Sequence, residues 1–385
     1  MSPESKNGIP NVPDKWLVTT SPHVRSPETV SQIMWTVVLA LLPACVAGLV
    51  VFGWYAGLIM AIGVLSAMAS EAVVQRVMRR PVTVSDGSAA VTGLLLALCL
   101  PADCSWYVPV VGSFVAIFIG KQVFGGLGRN YFNPALIGRA FLQFAFPDQL
   151  SMSKWKMLMR KPLLESLAGN IFNVGSGPVA EAMSAATPLA TIKPPFPHGE
   201  MAADITPLEA VGRSLHNTAE DPWDVVRDLG LGNIPGCIGE VSKLALLLGG
   251  LILIANRYVN WRLPLAYILT AVTVALLLPV KSGGEWYGLW AGQWNVVGQL
   301  AVIHLLSGGL FLGAFYMITD MVTSPTTGRG QVIYGIAAGV LVALIRVYGG
   351  YPEGVCYSIL LVNAGRLLIE KYSVPRVFGT SSGKA

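Results

Sequence analysis

The chain has 385 residues, of which 53% are hydrophobic and 12% charged, and its formal net charge is +5. Soluble globular domains carry roughly 25% charged residues, so this composition excludes an ordinary soluble enzyme and predicts a membrane protein. The modest net charge comes without a basic run interleaved with aromatic residues, so no nucleic acid is expected as a partner.

Cysteine usage gives no sign of a metal centre. The five cysteines form no C-x-x-C pair, and most lie in apolar segments, which is typical of small buried side chains. We therefore expect no metal ion and no iron–sulfur cluster held by this chain alone. Cys99 and Cys104 flank Pro101, and a ligand pair shared with a partner chain is the alternative for those two.

Polar and apolar stretches divide the chain into five regions. Residues 1–30 are polar and rich in proline, which predicts an extended cytoplasmic N-terminal segment and not a signal peptide. Residues 31–146 and 239–371 are apolar and predict two membrane repeats. Residues 147–238 form a long polar loop, and residues 372–385 predict a cytoplasmic tail.

Ten apolar segments lie within the two repeats. A membrane span needs roughly 20 residues, so the shorter segments must borrow flanking residues, tilt or be broken. The segments cover approximately residues 33–52, 55–70, 89–100, 107–120, 132–146, 241–255, 263–280, 296–318, 332–348 and 354–369. The predicted fold class is an all-α membrane protein with about ten transmembrane helices.

The placement of lysine and arginine sets the predicted orientation. Ten spans put both termini on one side, and the short loops of the other side offer only Lys281. Because Lys and Arg concentrate in cytoplasmic loops, both termini are expected in the cytoplasm and the 147–238 loop outside it. Lys121 is counted among the cytoplasmic loop cations. Alternating basic and apolar residues at 154–161 predict a short interfacial helix in the polar loop.

A weak internal repeat relates the two halves of the chain. The stretch 123–126 resembles 347–350, and Pro101 matches Pro325 at the same offset. Five spans separate equivalent segments, and an odd number inverts the second copy, which predicts two inverted five-helix repeats with broken helices after the third and eighth segments. Irregular backbone at membrane depth is tolerated only where protein buries it or water reaches it. These two breaks are therefore candidates for an internal site, and ordinary surface loops are the alternative.

One hydroxyl in the polar loop is suited to modification. In the stretch Ser184-Ala185-Ala186-Thr187-Pro188 the side chains around Thr187 are small, and Pro188 prevents a helix from continuing through it. A bulky donor would find Thr187 accessible on such a turn. By itself the stretch is equally compatible with an unmodified loop threonine.

Longer motifs carry a resemblance to a known family. They are Phe124–Asn130, Phe132–Ala135, Ser184–Leu189, His304–Gly308, Gly313–Phe315, Thr319–Thr327 and Gly349–Val355. With them the sequence resembles, over nearly its whole length, the membrane flavoprotein family that includes the D subunit of Rnf complexes and the B subunit of the sodium-pumping NADH:quinone oxidoreductase. The length and the short N-terminal tail are more similar to the Rnf D subunit.

The resemblance implies a covalent redox group. In that family a flavin transferase links FMN through its phosphate to the threonine of a D-x-x-S/T-x-A-T motif, which places the ester on Thr187, with Ser184 and Ala186 in the motif. Glu181 departs from the pattern, because the family has Asp there. A second flavin, riboflavin, held without a covalent bond, is also implied. Candidates for that flavin or for an ion path are Asn133, Asp320, Thr323, Thr327 and Asn363.

The resemblance also implies the function: a flavin-carrying subunit, not active alone, of an ion-translocating (Na⁺ or H⁺) ferredoxin:NAD⁺ oxidoreductase in a bacterial inner membrane. Gly125–Gly128 is no G-x-G-x-x-G fingerprint between a strand and a helix, so other chains must handle ferredoxin and NAD⁺. Expected partners are the membrane pair of subunits, an FMN-carrying G subunit and the iron–sulfur B and C subunits. The alternatives are the B subunit of a sodium-translocating NADH:quinone oxidoreductase and, from another class, a non-redox solute channel or transporter in which Thr187 is unmodified.

Ionisable residues within or at the ends of spans are costly in lipid and are functional candidates by default. For Arg346 and Arg366 we expect snorkelling to lipid headgroups or pairing with a neighbouring subunit. We expect His304 to be a packing residue rather than a metal ligand, and Arg139 has no evident partner in the sequence. The full set is Glu71, Arg139, His304, Asp320, Arg346 and Arg366.

Overall fold

The computed structural model describes residues 28–150, 188–191, 206–216 and 221–374, with short gaps at 233, 235, 279, 283–284, 288, 290–293 and 351–352. In these residues the fold is helical, with one antiparallel hairpin of β1 (Val280–Ser282) and β2 (Glu285–Tyr287).

The helices fall into three groups along the chain. The first group is α1 (Val30–Phe52), α2 (Trp54–Val77), α3 (Ser88–Leu98), α4 (Tyr107–Ile117) with a π turn at Phe118–Gln122, and α5 (Pro134–Ala145). The second group is α6 (Pro188–Thr191), α7 (Pro207–His216) and α8 (Pro222–Leu231). The third group is α9 (Lys243–Ala255), α10 (Arg262–Leu277), α11 (Trp294–Leu306), α12 (Leu310–Leu312) with a π turn at Gly313–Met317, α13 (Gly328–Tyr348) and α14 (Val355–Ser373). Short 3₁₀ turns lie at Val84–Asp86, Pro147–Gln149 and Ile238–Glu240.

Polar side chains fix the starts of several helices. The Thr29 hydroxyl and the Gln32 amide form a reciprocal capping box before α1. Asn133 accepts from the backbone N–H of Ala135, and Pro134 occupies the first position of α5, where no N–H is needed. Thr327 caps α13 in the same way through the N–H of Gly330.

The longest helices have the dimensions of membrane spans. In the described part of the chain α1, α2 and α13 are long and apolar enough to cross a membrane, and α11 with α12 qualifies as one broken span. The helices α3, α4, α9 and α10 are shorter and also apolar. These helices belong to a multi-pass helical membrane protein, a coarser result than the ten spans predicted from the sequence.

The second apolar segment is longer in the structure than in the sequence-based prediction. It was expected to end near residue 70, whereas α2 continues to Val77. Two polar residues of the extra turns, Glu71 and Gln75, are buried. Gln75 donates to the Glu71 carboxylate (3.3 Å) and accepts from the backbone N–H of Thr83 (2.9 Å). These hydrogen bonds replace the apolar burial on which the prediction relied.

Lys121 is the partner of Glu71 and was wrongly predicted to be a loop cation. Its side chain is 2% exposed, and its Nζ lies 2.5 Å from Glu71 Oε1 and 2.5 Å from Ser88 Oγ. The π turn at Phe118–Gln122 carries Lys121 inward, so that two membrane helices and a turn are joined by a buried ion pair.

The predicted break after the third segment is buried by protein. The N–H of Ile238 donates to the carbonyl of Leu100 (3.0 Å), and Pro101 forms an isolated antiparallel bridge with Cys237. Leu100 is fully buried. This backbone is therefore satisfied by the chain segment before α9, which favours an internal position over a surface loop.

The eighth segment is broken in its middle, in addition to the break predicted after it. The helices α11 and α12 meet at 56° across Ser307-Gly308-Gly309, and Gly308 has φ +67°. Glycine adopts that backbone conformation without the steric penalty that other residues incur.

Close helix contacts through glycine hold the core together. A Cβ on Gly249 of α9 would collide with the carbonyl of Ala40 in α1 and with the Tyr316 hydroxyl. That hydroxyl donates to the carbonyls of Ala40 and Leu246, each at 3.1 Å. Small residues allow such approaches between membrane helices, and here they join α1, α9 and the turn after α12.

Candidate functional site

The residues predicted to carry the flavin lie at the edge of the described structure. Glu181, Ser184, Ala186 and Thr187 lie outside the described residues. The description resumes at Pro188, which follows Thr187 in the chain and is buried. The geometry therefore bears on the anchor of this segment and leaves the modification of Thr187 an expectation.

Leu189 anchors the segment that follows Thr187. It is 3% exposed and belongs to an apolar cluster formed by α6, α7, α8 and α11. The fully buried members of that cluster are Val211, Val225, Leu229 and Ile303. The helices that receive Leu189 begin with proline at Pro207 and Pro222, and Gly232 ends α8 at φ +106°.

Leu189 also reaches the break between α11 and α12. A Cβ on Gly308 would lie 2.9 Å from Leu189 Cδ1, 3.3 Å from Arg346 Nη2 and 3.5 Å from Glu353 Oε1. The absence of a side chain at Gly308 therefore lets an apolar anchor, a guanidinium and a carboxylate meet at one place. Leu189, which reaches this break, follows Thr187 by two positions in the chain.

Five ionisable side chains lie together beside this break, and we call them the buried charge cluster: Arg139, Glu240, Lys243, Arg346 and Glu353. Arg139 Nη2 lies 4.0 Å from Glu353 Oε2, with the two side chains 12% and 11% exposed. Lys243 is 2% exposed and donates to the carbonyl of Glu240. Three basic groups thus surround two acidic ones, and the cluster favours an additional negative charge.

Arg346 fixes the backbone at the break. Its Nη1 donates to the carbonyl of His304 (2.7 Å) and its Nη2 to the carbonyl of Ser307 (3.0 Å). These two carbonyls lie at the end of α11, where helix carbonyls lack partners and cations are favourable. The side chain is 5% exposed, so the prediction that Arg346 snorkels to headgroups is wrong.

Two carboxyl groups of the cluster lie close together. The Sγ atom of Cys237 and a carboxylate oxygen from each of Glu240 and Glu353 all lie within 4.8 Å of one another. Burial, and then the charge and hydrogen bond of Glu240, hold the pKa of Glu353 well above its usual range. Burial and the charge of Glu240 likewise raise the pKa of Cys237. Protons are therefore held more tightly here than on exposed carboxyls.

Several polar atoms of this region have no hydrogen-bond partner in the described residues. They are Arg139 Nη1, Arg346 Nε, Glu353 Oε1, His304 Nδ1 and Ser307 Oγ. Buried polar groups are normally paired, because each unpaired one costs roughly 1–3 kcal/mol. Their concentration around one break indicates a site made to contact something polar. The His304 side chain is itself buried.

A second polar group unites four of the five residues proposed for a second flavin or an ion path. Asn133 donates to the carbonyl of Met317 (3.1 Å). With its amide oriented to satisfy its neighbours, Asn363 accepts from the N–H of Asn133 (3.0 Å) and bonds the Tyr334 hydroxyl. Asp320 accepts from the Thr323 hydroxyl at 3.1 Å.

Asn133 and Asp320 line the same cavity, which has a volume of about 90 Å³. Its other polar lining includes Ser88, Lys121 and Thr319. Thr327 does not belong to this group: it caps α13, and its hydroxyl lies 2.7 Å from Ser373 Oγ. Asn133 and Asn363 thus meet across the two halves of the chain, and Asp320 and Thr323 are joined within the second half.

Arg366 also has partners within this chain, contrary to the prediction of lipid or subunit contacts. It donates to the carbonyl of Val322 and lies 3.4 Å from Glu370. It thereby fixes the irregular segment that carries Asp320.

The sequence-based reasoning assigned no role to Glu240, Lys243, Cys237 or Glu353. A usable signal was present: Glu240 and Lys243 stand directly before a long apolar helix, and Glu353 lies in the Gly349–Val355 motif. A charged residue at the end of a membrane span is a functional candidate in the same way as a charged residue inside the span.

Comparison with known sequences adds a further finding. The profile of the NQR2, RnfD, RnfE family matches residues 17–379. Among the similar proteins, the D subunit of the Na⁺-translocating ferredoxin:NAD⁺ oxidoreductase complex of Acetobacterium woodii is 40% identical, over 95% of this chain and 96% of the relative. The D subunit of the proton-translocating ferredoxin:NAD⁺ oxidoreductase complex of Clostridium ljungdahlii is 42% identical, over 94% and 96%. The D subunit of the ion-translocating oxidoreductase complex of Stutzerimonas stutzeri is 37% identical, over 92% and 94%.

Proposed function

Because the chain belongs to the NQR2, RnfD, RnfE family, we propose that it is the flavin-carrying membrane subunit of an ion-translocating ferredoxin:NAD⁺ oxidoreductase complex, with FMN joined to Thr187 through a phosphodiester. The observation that carries the proposal is the near full-length similarity to relatives named as the D subunit of such complexes. That pattern also favours the Rnf-type assignment over the B subunit of a quinone reductase.

The buried charge cluster fits an anionic cofactor near Thr187. The excess of basic groups and the unpaired N–H groups of Arg139 and Arg346 are suited to a phosphodiester or to an electron-rich ring. FMN would supply one- and two-electron chemistry here, while the chain supplies position and electrostatics. Leu189 and Pro188 anchor the attachment segment by burial, and Arg346 holds the break against which Leu189 packs.

The proposed topology follows the charge pattern. Ten spans in two inverted repeats place both termini in the cytoplasm, and the 147–238 loop with Thr187 on the outer side of a bacterial inner membrane. Proteolysis of intact spheroplasts tests this arrangement, since cleavage within 147–238 should occur from outside the cell. Cleavage there only from the cytoplasmic side contradicts it.

Partners follow from the same assignment. The complex would contain a membrane pair of subunits, an FMN-carrying G subunit and the iron–sulfur B and C subunits, and a flavin transferase would modify Thr187. This chain has no nucleotide fingerprint, so we assign NAD⁺ and ferredoxin to those other subunits.

The cavity beside Asp320 is better suited to a small cation than to a second flavin. Sites for drug-sized ligands span roughly 300–1,000 Å³, whereas this cavity has about 90 Å³. Riboflavin does not fit a cavity of this size. Carboxylate, hydroxyl and amide oxygens are ligands of hard cations, so we propose an ion path past Asp320. Asp320→Asn should abolish ion uptake into vesicles and leave flavin on the chain, and unchanged uptake would contradict this.

Na⁺ and H⁺ are both candidates for the transported ion. The relatives from Acetobacterium woodii and Clostridium ljungdahlii are 40% and 42% identical to this chain and carry different ions in their names.

In-gel flavin fluorescence tests the redox assignment. The chain, purified from its native host and denatured, should give a fluorescent band that Thr187→Ala abolishes. Thr191→Ala is the matched control, because it removes a hydroxyl four residues away and should keep the fluorescence. A dark wild-type band with the mass of the bare polypeptide would remove the main support for this function and favour a non-redox transporter.

A further inference from the structure

Glu240 and Glu353 lie on the two sides of the glycine break between α11 and α12. A Cβ on Gly309 would lie 3.0 Å from Glu240 Oε1, and one on Gly308 would lie 3.5 Å from Glu353 Oε1. A carboxylate oxygen of Glu240 also lies within 4.8 Å of a carboxylate oxygen of Glu353. A side chain on Gly309 would therefore crowd Glu240, whereas a Cβ on Gly308 would be in ordinary van der Waals contact with Glu353.

Two opposing effects act on the proton of this pair. Burial and the proximity of two carboxylates favour binding of one proton between them. The basic groups of Arg139, Lys243 and Arg346 favour its loss. A change of one charge nearby shifts the balance between these two effects. A unit charge about 10 Å away, at an effective dielectric constant of about 20, changes a proton affinity roughly tenfold.

Several polar atoms without a hydrogen-bond partner in the described residues lie beside the pair. Ser307 is fully buried, and its hydroxyl has no partner in the described residues. Glu353 Oε1 and Arg346 Nε likewise have no hydrogen-bond partner in the described residues. The Arg346 side chain is 5% exposed. Arg346 Nη2 and Glu353 Oε1 both border Gly308, and Leu189 covers the same spot.

Every helix packed against the pair contributes to its electrostatics. The titratable and charged groups concerned are Cys99 at the end of α3, Arg139 on α5, Cys237 before α9, Lys243 on α9, His304 on α11, Arg346 on α13 and Cys356 on α14. The cysteines are free thiols, so the three basic groups oppose the two acids.

We propose that Glu240 and Glu353 form a proton-accepting pair whose protonation follows the redox state of the group carried on Thr187. The inference rests on the proposed function of Thr187. The pair forms one carboxyl O–H bond, with a proton from water on the outer side, when a one-electron carrier of a partner subunit adds an electron to that group. The O–H bond breaks and the proton returns to water when the electron leaves. One electron and one proton enter together, so the net charge of the region is unchanged.

Redox-difference infrared spectroscopy of the purified whole complex tests the pair directly. Reduction should produce the carbonyl stretch of a protonated carboxyl group, with a shift in D₂O. The band should be lost in Glu353→Gln and retained at a shifted frequency in Glu353→Asp, which keeps the acid if the glutamine variant does not assemble. Asp224→Asn, which removes a 41% exposed carboxylate on α8, is the control and should leave the band unchanged.

The outcomes separate this inference from the function on which it rests. A fluorescent Thr187-dependent band with no carboxyl signal on reduction overturns the proton-accepting pair and leaves the flavin assignment intact. A carboxyl signal that persists unchanged in both Glu353→Gln and Glu240→Gln also overturns it. Absence of flavin from the chain overturns both proposals together.

Discussion

The buried pair of Glu71 and Lys121 permits a quantitative prediction. The two side chains are 0% and 2% exposed, and their atoms lie 2.5 Å apart. Lys121→Met leaves Glu71 with only amide donors, from Gln75 (3.3 Å) and Gln122 (3.0 Å). Removal of one partner from a buried pair typically costs about 3–5 kcal/mol, because the remaining charge is uncompensated.

The double variant separates the pair from the rest of the packing. Replacing both members by neutral groups of similar volume is often nearly neutral, so Glu71→Gln with Lys121→Met should recover most of the stability lost in either single variant. Reversible unfolding in detergent, monitored by circular dichroism, measures the free energy of unfolding for all four proteins of the cycle.

An exposed pair provides the control. Arg227 lies 3.0 Å from Asp224, and the two side chains are 49% and 41% exposed. Solvent screening limits such a pair to about 0.2–1 kcal/mol, so Asp224→Asn should cost less than about 1 kcal/mol. This variant keeps Arg227 beside the buried Asp228, at 3.7 Å. The reasoning is refuted if the losses of the two buried single variants add in the double variant.

Two further substitutions test the glycine break and the contact between the halves of the chain. Gly308→Ala should cost about 1–2 kcal/mol from its positive φ and more from the contact with Leu189, whereas Gly298→Ala, with open space around it, should be neutral or stabilising; thermal unfolding compares the two. Asn133→Ala should lose about 1 kcal/mol of helix capping and the bond to Met317, whereas Asn133→Ser keeps a capping oxygen and loses the amide donor to Met317, so its melting temperature should lie between those of the alanine variant and the wild type.

The membrane character of the chain could be predicted from the sequence because apolar runs depend only on local composition. The first apolar segment, predicted at 33–52, lies within α1, and the short third segment matches the eleven residues of α3. The orientation and the inverted repeat stay predictions.

The charged residues were harder to predict because their environments are made by distant parts of the chain. Arg139 and Glu353 are separated by more than two hundred residues and lie 4.0 Å apart. Arg346 is one residue among apolar neighbours, which suggested snorkelling, yet the carbonyls at the end of α11 satisfy it inside the protein. Such partners follow from tertiary packing and leave no local pattern.

Among the candidate residues near the second break, two are in contact in the structure and one is not. Asn133 and Asn363 were both candidates for the second flavin or an ion path, and the structure joins them by a hydrogen bond. Thr327 was chosen for its position beside Asp320 in one motif, but its hydroxyl caps α13. A hydroxyl before a helix is often consumed by capping, and that competing use explains the difference.

The central claim, a flavin ester on Thr187, is tested most directly by mass spectrometry of the peptide that contains residues 181–191. The chain should be purified from its native host, digested, and the modified residue located by fragmentation. We predict a mass increase equal to FMN less one water, located on Thr187. A peptide found only at its unmodified mass, or with the flavin on Ser184 or Thr191, would contradict the claim.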